Sequence, residues 1–508
     1  MRADRERRWW QGPSLSTSWG LLAWLTVPLT AFLTIGPVRE VDVYWHIRMG
    51  ADMLANGRFG GDPAWTFGPA DSGWVTTQAG AELLLHLIHL VASWPGIMLF
   101  RVVMAAVVMT SLLLAVTRVV RTRSPLAVDR SAALVSVLAM VIMAEFVQER
   151  PQSLSLAILP WVGVLVLRVM YTDRWPRWWV VGLLVMAWSW FHGAATLVAP
   201  LLAVAALIHA LGVGGLRWLP ALVTSIRRGW LVILVAALAP MVGPAGLGYY
   251  PQAAAIQDAA SMRIIEWSPA AASSAYVWAV LLLVAVWAFA LVRLAARSGM
   301  IWRTFRMDAL LVIPAVLVMT TSGRYLGLGF LLLAPLVTRR LAQAWDRPAA
   351  PLERLRRPVA IVILAVVSGL TVAVAGAAAA GVRPVDLHHP LRVWESLAAE
   401  EGERRAIVAY VLGGQAGVLG DVVVSIDGRA DRYGGALLDA NRDLLDARPG
   451  WRDTLARYEG ATDAVVPSDG AVVELLVADG WQVACVDGDF TWLTAPGVTG
   501  ACPSEGAD

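Results

Sequence analysis

The sequence predicts a polytopic α-helical membrane protein of about 11 transmembrane helices, N-terminus in and C-terminus out, closed by a small C-terminal extracytoplasmic α/β domain. Three observations carry this. The 508 residues are 58% hydrophobic and 16% charged, with a mean hydropathy of +0.62, whereas a soluble domain carries about 25% charge. Apolar runs close to span length recur and are separated by Arg clusters on alternate connections, as the positive-inside rule requires. The charge also divides: from residue 381 onward 10 Arg face 21 Asp and Glu, whereas the rest of the chain has 31 Arg and 17 acids.

In order, Arg2, Arg5, Arg7 and Arg8 hold the start of the chain inside, and no small-residue cleavage site follows the first apolar run, so no cleavable signal is expected. Spans are expected at about 18–36, 97–118, 131–147, 152–171, 178–191, 195–211, 229–243, 274–293, 308–321, 326–338 and 358–380. A large first outer loop, 37–96, follows the first span. Within it Glu82, His86 and His89 recur at helical spacing opposite leucines, which predicts an amphipathic interfacial helix. The expected domains are 1–380, in the membrane, and 381–508, outside it.

The tail has the alternation of a small α/β domain. Ala406–Leu412 reads as helical and Asp421–Ile426 as a buried strand; Leu437–Tyr458 is helical with a break near Pro449-Gly450. Ala464–Pro467 reads as a strand and Ala471–Asp479 as a helix. Trp481–Val486 and Phe490–Leu493 form a hairpin around Asp487-Gly488-Asp489. The tail holds both cysteines, Cys485 and Cys502, whose separation permits a disulfide; two free thiols are the alternative. There is no GxGxxG and no P-loop, and the acidic balance of the tail argues against a nucleic-acid partner.

Every basic residue is Arg, which fits a GC-rich bacterial codon bias and makes each phosphate contact a potential bidentate fork. The ionisable residues that inside anchoring does not explain fall on the outer connections: Glu40, Asp42, His46, Arg48, Asp62, Glu82, Glu149, Arg150, Arg263, Glu266 and Arg324. Arginines there would hold the phosphate of a lipid-linked donor and a carboxylate would deprotonate a hydroxyl; charged water-side loops and helix caps are the structural alternative. Asp42, in an aromatic stretch just past the first span, stands out. His192 at a tight turn suits either substrate contact or a hydrogen-bonding cap. The spacing of Glu82, His86 and His89, with His46, suits either a metal or a water-facing helix, and no residue is assigned to a metal.

Several short motifs span the chain: Asp42-Val-Tyr-Trp45-His46 with Gly50, Gly57-Arg58, Asp62-Pro63, Trp74-Val75, Arg150-Pro151-Gln152, Trp190-Phe-His192-Gly193, Glu266-Trp267-Ser268-Pro269, and Asp427-Gly428-Arg429-Ala-Asp431 with Tyr433-Gly434. On these residues the chain resembles the GT-C superfamily of polytopic, polyprenyl-phosphate-sugar-dependent glycosyltransferases, and more closely a group of bacterial GT-C-like membrane proteins. The resemblance implies an inverting transfer of a sugar from a polyprenyl-phosphate donor to an envelope glycan, lipid or protein acceptor at the outer face of the bacterial plasma membrane. It implies Asp42 as general base, with Glu40 as competitor, and Arg48, Arg150, Arg263, Arg324, His46, His192 and Glu266 as substrate- or phosphate-binding residues. The first loop lacks a clear DxD motif, so no cofactor is assigned and a divalent metal stays open. A lipid-linked glycan transporter or flippase, or a non-catalytic envelope assembly protein, is the alternative; no convincing internal repeat supports the transporter.

Overall fold

A computed structural model of the chain describes residues 12–60, 64–69, 74–120, 124–260, 263–271, 273–298, 302–346, 355–385 and 389–502. The N-terminal Arg cluster and Asp62-Pro63 lie outside the described residues. The helices of the first three-quarters are α1 (Ser18–Leu33), α2 (Val43–Asn56), α3 (Ala79–Arg118), α4 (Pro125–Phe146), α5 (Gln152–Thr172), α6 (Trp178–Ser189) and α7 (Val198–Gly214). They continue as α8 (Trp218–Leu238), α9 (Tyr249–Ala260), α10 (Ala275–Ser298), α11 (Trp302–Thr321), α12 (Tyr325–Ala344) and α13 (Arg357–Ala379). Among the described residues nine helical segments are long and apolar enough to cross a membrane, and α1 and α6 are shorter apolar helices. The expected count of eleven therefore resolves into nine full-length candidates and two short ones. This is a multi-pass membrane protein.

The chain forms two compact units, residues 1–36, 98–242 and 266–381 in one, and residues 37–97, 243–265 and 382–508 in the other. The tail expected from residue 381 is thus joined by two earlier connections.

In the first unit α12 packs against α4, α5, α10 and α11, while α13 packs on α1. The backbones of α5 and α12 approach closely at Gly163, where a Cβ would lie 2.5 Å from the Leu332 carbonyl oxygen. Two ion pairs are enclosed in this apolar bundle, where desolvation favours pairing. Arg101 on α3 meets Glu149 at 2.6 Å with both side chains fully buried, and Arg101 also donates to the Gly36 carbonyl. Arg340 on α12 meets Asp308 on α11 at 2.6 Å, and Tyr171 on α5 bonds both partners.

Within α3 two helices meet at a kink, so 80–90 belongs to a helix distinct from the span that follows, as expected, but its polar face does not meet water. Helix runs from Ala79 to Arg118 with one break at Ser93 (φ 48°, ψ −149°). Pro95 lies just beyond it, where its missing N–H suits the first turn of a new helix. The polarity is also reversed: Glu82 is fully buried, while Leu87, Leu90 and Val91 are exposed. Outward apolar groups suit lipid, and the polar face turns inward to partners.

The tail adds α14 (Leu391–Ala399), β1 (Arg405–Val408), α15 (Gly413–Leu419), β2 (Val423–Val424), α16 (Ala430–Leu445) and α17 (Trp451–Arg457). It finishes with β3 (Asp463–Pro467), α18 (Ala471–Ala478), β4 (Gln482–Asp487) and β5 (Phe490–Thr494). The sheet order is β2-β1-β3-β5-β4, with β1 parallel to β2 and β3, and β5 antiparallel to β3 and β4. The run expected as helix at 406–412 is β1 followed by a turn. A short apolar run enclosed between two strands has no periodicity that separates it from a buried helix. The hairpin around Asp487–Asp489 is present, and Cys485 is disulfide-bonded to Cys502. The segment around Trp65 and Thr66 lies beside β2, with Val424 N–H donating to the Trp65 carbonyl (2.9 Å) and Phe67 N–H to that of Val424 (3.0 Å).

The centre of this unit is a buried ion pair. Arg429 donates to Asp427 through Nε (2.9 Å) and Nη2 (2.6 Å), and Tyr433 donates to the same carboxylate at 2.9 Å. The guanidinium lies 4.3 Å from the Trp65 ring centroid and 5.3 Å from that of Trp74, both from the first loop. Burial pushes the Arg429 pKa down, and the Asp427 charge more than reverses this, so the group stays charged. Replacing Arg429 with Met leaves Asp427 buried and unpaired, at a cost of about 3–5 kcal/mol. We expect loss of hydrogen-exchange protection in β1 and β3, and partial recovery when Asp427→Leu is added; undiminished protection in Arg429→Met would remove the pair from this role.

Candidate functional site

The second unit holds five of the candidate residues. Asp42 is the N-cap of α2, half-buried, and its Oδ1 accepts from Trp45 Nε1 at 3.0 Å. The i, i+3 spacing puts both on one face of the first turn. Glu40 is buried, and its Oε1 accepts from the backbone N–H of Asp42 at 3.2 Å, so it caps the turn that presents Asp42. His46 is buried, its ring tilted against that of Trp45 with centroids 3.6 Å apart, and its Nδ1 lies 3.6 Å from Glu82 Oε1. Glu82 also accepts from Thr76 at 2.8 Å.

Arg48 and Arg263 are occupied by the tail. Arg48 donates to the Gly417 carbonyl at 3.2 Å and lies 3.4 Å from Asp421. Arg263 makes a fork to Asp439 through Nε and Nη2, both at 2.9 Å, and Nη1 donates to the Asp258 carbonyl. Both act as ties between a loop and the tail. Asp431, which spacing arguments did not single out as a site residue, is half-buried and accepts from Trp74 Nε1 (2.7 Å) and Gln252 Nε2 (3.2 Å). Burial raises its pKa more than these donors lower it.

The first unit holds the rest. Glu266, just before α10, receives Arg150 Nη1 at 2.9 and 3.2 Å and Arg324 Nη1 at 3.2 Å. Each arginine is braced by an amide: Arg150 Nε donates to Gln148 Oε1 and Arg324 Nε to Gln152 Oε1, both at 2.9 Å. Arg324 also lies 4.8 Å from the Trp267 ring centroid. The Glu266 backbone carbonyl accepts from Arg324 N–H and Ser322 Oγ, each at 3.0 Å, which fixes the turn. The cluster lines a cavity of about 190 Å³ together with Glu145, Phe146 and Tyr276. The amide partners Gln148 and Gln152 were missed as site residues; only the Arg150-Pro151-Gln152 motif pointed toward them. His192 sits apart, at the turn after α6. Its Nδ1 accepts from Ala194 N–H at 3.1 Å and faces Ser155 Oγ at 2.9 Å, the geometry of a cap.

Among the described residues no group of three or more His, Cys, Asp or Glu is arranged to hold a metal. His89, on one helical segment with His86 and Glu82, lies edge-on to Trp94.

Burial pushes the Glu266 carboxyl up, but Arg324 and Arg150 outweigh it and hold it below its ordinary value of 4.5. A depressed carboxylate contributes stability that is complete above the unfolded-state value and lost as pH falls through the folded one. Thermal unfolding between about pH 3 and pH 6 should show this acid-side loss, and Glu266→Gln should shrink it. An identical acid limb in that variant would mean that the cluster carries no such linkage.

No family model matches the chain, and no curated protein matches it. Solved structures do. The archaeal oligosaccharyltransferase AglB from Archaeoglobus fulgidus, in complex with an inhibitory peptide and a dolichol-phosphate, aligns with a TM-score of 0.50 at 12% identity, over 89% of this chain and 69% of that one. Two further structures of the A. fulgidus oligosaccharyltransferase align less well. One, tethered to an acceptor peptide, has a TM-score of 0.49 at 10% identity over 89% and 69% of the two chains. The apo form has 0.46 at 9% over 87% and 69%. At 12% identity the likeness is one of fold: the chain shares the fold of the archaeal oligosaccharyltransferase.

Proposed function

We propose that this protein is a membrane glycosyltransferase that moves a sugar from a polyprenyl-phosphate donor to an envelope glycan, lipid or protein acceptor, with inversion. The observation that carries the reading is Asp42: a half-buried carboxylate at the start of α2, with one oxygen oriented by Trp45 and its turn capped by Glu40. A base so held needs little reorganisation to accept a proton. The acceptor hydroxyl gives its proton to Asp42 as its oxygen forms a bond to the anomeric carbon. The bond from that carbon to the phosphate oxygen breaks, and polyprenyl phosphate leaves with the electron pair. Arg150 and Arg324 are assigned to the phosphate because they are braced, forked donors on a cavity wall. Glu266 keeps that pair aligned in the absence of donor. Arg48 and Arg263 are assigned to loop–tail ties rather than phosphate, and His46 to support of the Asp42 turn.

The purified protein in lipid, offered radiolabelled polyprenyl-phosphate sugars and a range of acceptors, should turn over. Asp42→Asn should lower kcat by at least about a hundredfold, the lower end of what general base catalysis contributes. Undiminished turnover in Asp42→Asn would remove Asp42 as base.

The same reading places the tail outside the cytoplasm, in the bacterial envelope. The Cys485–Cys502 bond supports it, since disulfides persist in oxidising compartments. In intact cells, a membrane-impermeant maleimide should label both cysteines after mild reduction and neither before it. Labelling only after lysis would overturn the orientation.

A further inference from the structure

The Asp42 carboxylate is held by more than its own helix. Its neighbour is the loop between β2 and α16, from the opposite end of the sequence. A Cβ on Gly428 would lie 2.5 Å from Asp42 Oδ1 and 2.5 Å from Trp45 Nε1, on the two atoms of the Asp42–Trp45 hydrogen bond. No side chain fits there without displacing that bond, since real Cβ atoms essentially never approach so closely.

The loop is fixed on both sides of this glycine. The Gly428 carbonyl accepts from the Tyr410 hydroxyl at 2.6 Å, and Tyr410 follows β1. Asp427 before it and Arg429 after it form the buried pair between Trp65 and Trp74. A second tail glycine repeats the close approach one turn away: a Cβ on Gly414 would lie 3.1 Å from the Trp45 backbone nitrogen. The loops involved leave the C-terminal ends of parallel strands β1 and β2, the edge at which open α/β sheets present their binding residues. Here that edge meets the carboxylate at the N-cap of α2.

We propose that Gly428 and Tyr410 are positioning residues for Asp42: the tail loop leaves room for the Asp42–Trp45 bond and so sets the orientation of the carboxylate. This rests on the assignment of Asp42 as base for its catalytic meaning, but the geometry is testable without turnover. The loop acts through the carboxylate rather than on substrate. A larger residue at 428 should therefore disturb the ionisation of Asp42 before it disturbs the fold.

The test is carbodiimide labelling of carboxyl groups in the full-length protein in lipid nanodiscs, followed by peptide mass spectrometry across pH. Exposed Asp469 serves as reference, and buried Asp427 reports on unfolding. Gly428→Ala, Trp45→Phe and Tyr410→Phe are compared with the unmodified chain. Losing the indole donor removes stabilisation of the carboxylate form, so the Asp42 labelling profile should move up by roughly one pH unit in Gly428→Ala and Trp45→Phe. Tyr410→Phe should move it in the same direction by less. Asp427 should stay protected and Asp469 unchanged.

An Asp42 profile unmoved in Gly428→Ala, with Asp427 still protected, would overturn the proposal. If Gly428→Ala exposes Asp427, Trp45→Phe and Tyr410→Phe decide. A shift in both upholds the proposal, and a shift in Trp45→Phe alone restricts positioning to the indole and overturns the role of the tail. Turnover unaffected by Asp42→Asn would sink the base assignment by itself, and the labelling result would stand apart from it.

Discussion

The second unit depends on one interaction, the Arg429–Asp427 pair enclosed between Trp65 and Trp74. A buried guanidinium is costly unless its charge and its donors are all used. Here Asp427 takes Nε and Nη2, two indole faces cover the plane, and Tyr433 fills the remaining carboxylate valence. The arrangement needs residues from both the first loop and the tail, so neither part completes it alone. Gly428 lies between the two charged residues, so the same pair fixes the backbone beside Asp42.

The first unit follows the same rule in a more apolar setting. Arg101–Glu149, between α3 and the α4–α5 connection, and Arg340–Asp308, between α12 and α11, are fully or almost fully buried pairs. Arg101–Glu149 holds the connection that presents Arg150, which is one residue farther along. Arg150 and Arg324 differ from these tied residues in facing a cavity and in sharing one carboxylate that is partly exposed. Here two braced cations share one counter-ion, while Arg263 and Arg48, similar in sequence context, are committed to tail carboxylates.

Legibility followed range of interaction. Spans were visible because a helix in lipid must be apolar along its own length. The β4–β5 hairpin was visible because Asp487-Gly488-Asp489 is local turn chemistry. The strand at β1 was misread because its identity rests on strands β2 and β3, far away in sequence. The histidines of α3 were misread because helical spacing defines a face but not what the face meets. Of the site residues, Asp42, Arg150, Glu266 and Arg324 stood out as charges that topology could not explain, whereas Gly428, Tyr410, Gln148 and Gln152 carry no such mark.

By itself, then, the sequence determined a multi-pass helical chain, an acidic α/β tail, and a short set of acids and arginines worth testing. Hydropathy, charge asymmetry and turn residues are properties of single segments and can be read without coordinates. Only the tertiary structure decided that residues 37–97 and 243–265 fold with the tail, that Arg48 and Arg263 are spent on Asp421 and Asp439, and that Glu266 joins Arg150 to Arg324. Each of these is a pairing between distant residues, and which charge finds which partner is settled by burial and geometry rather than by composition.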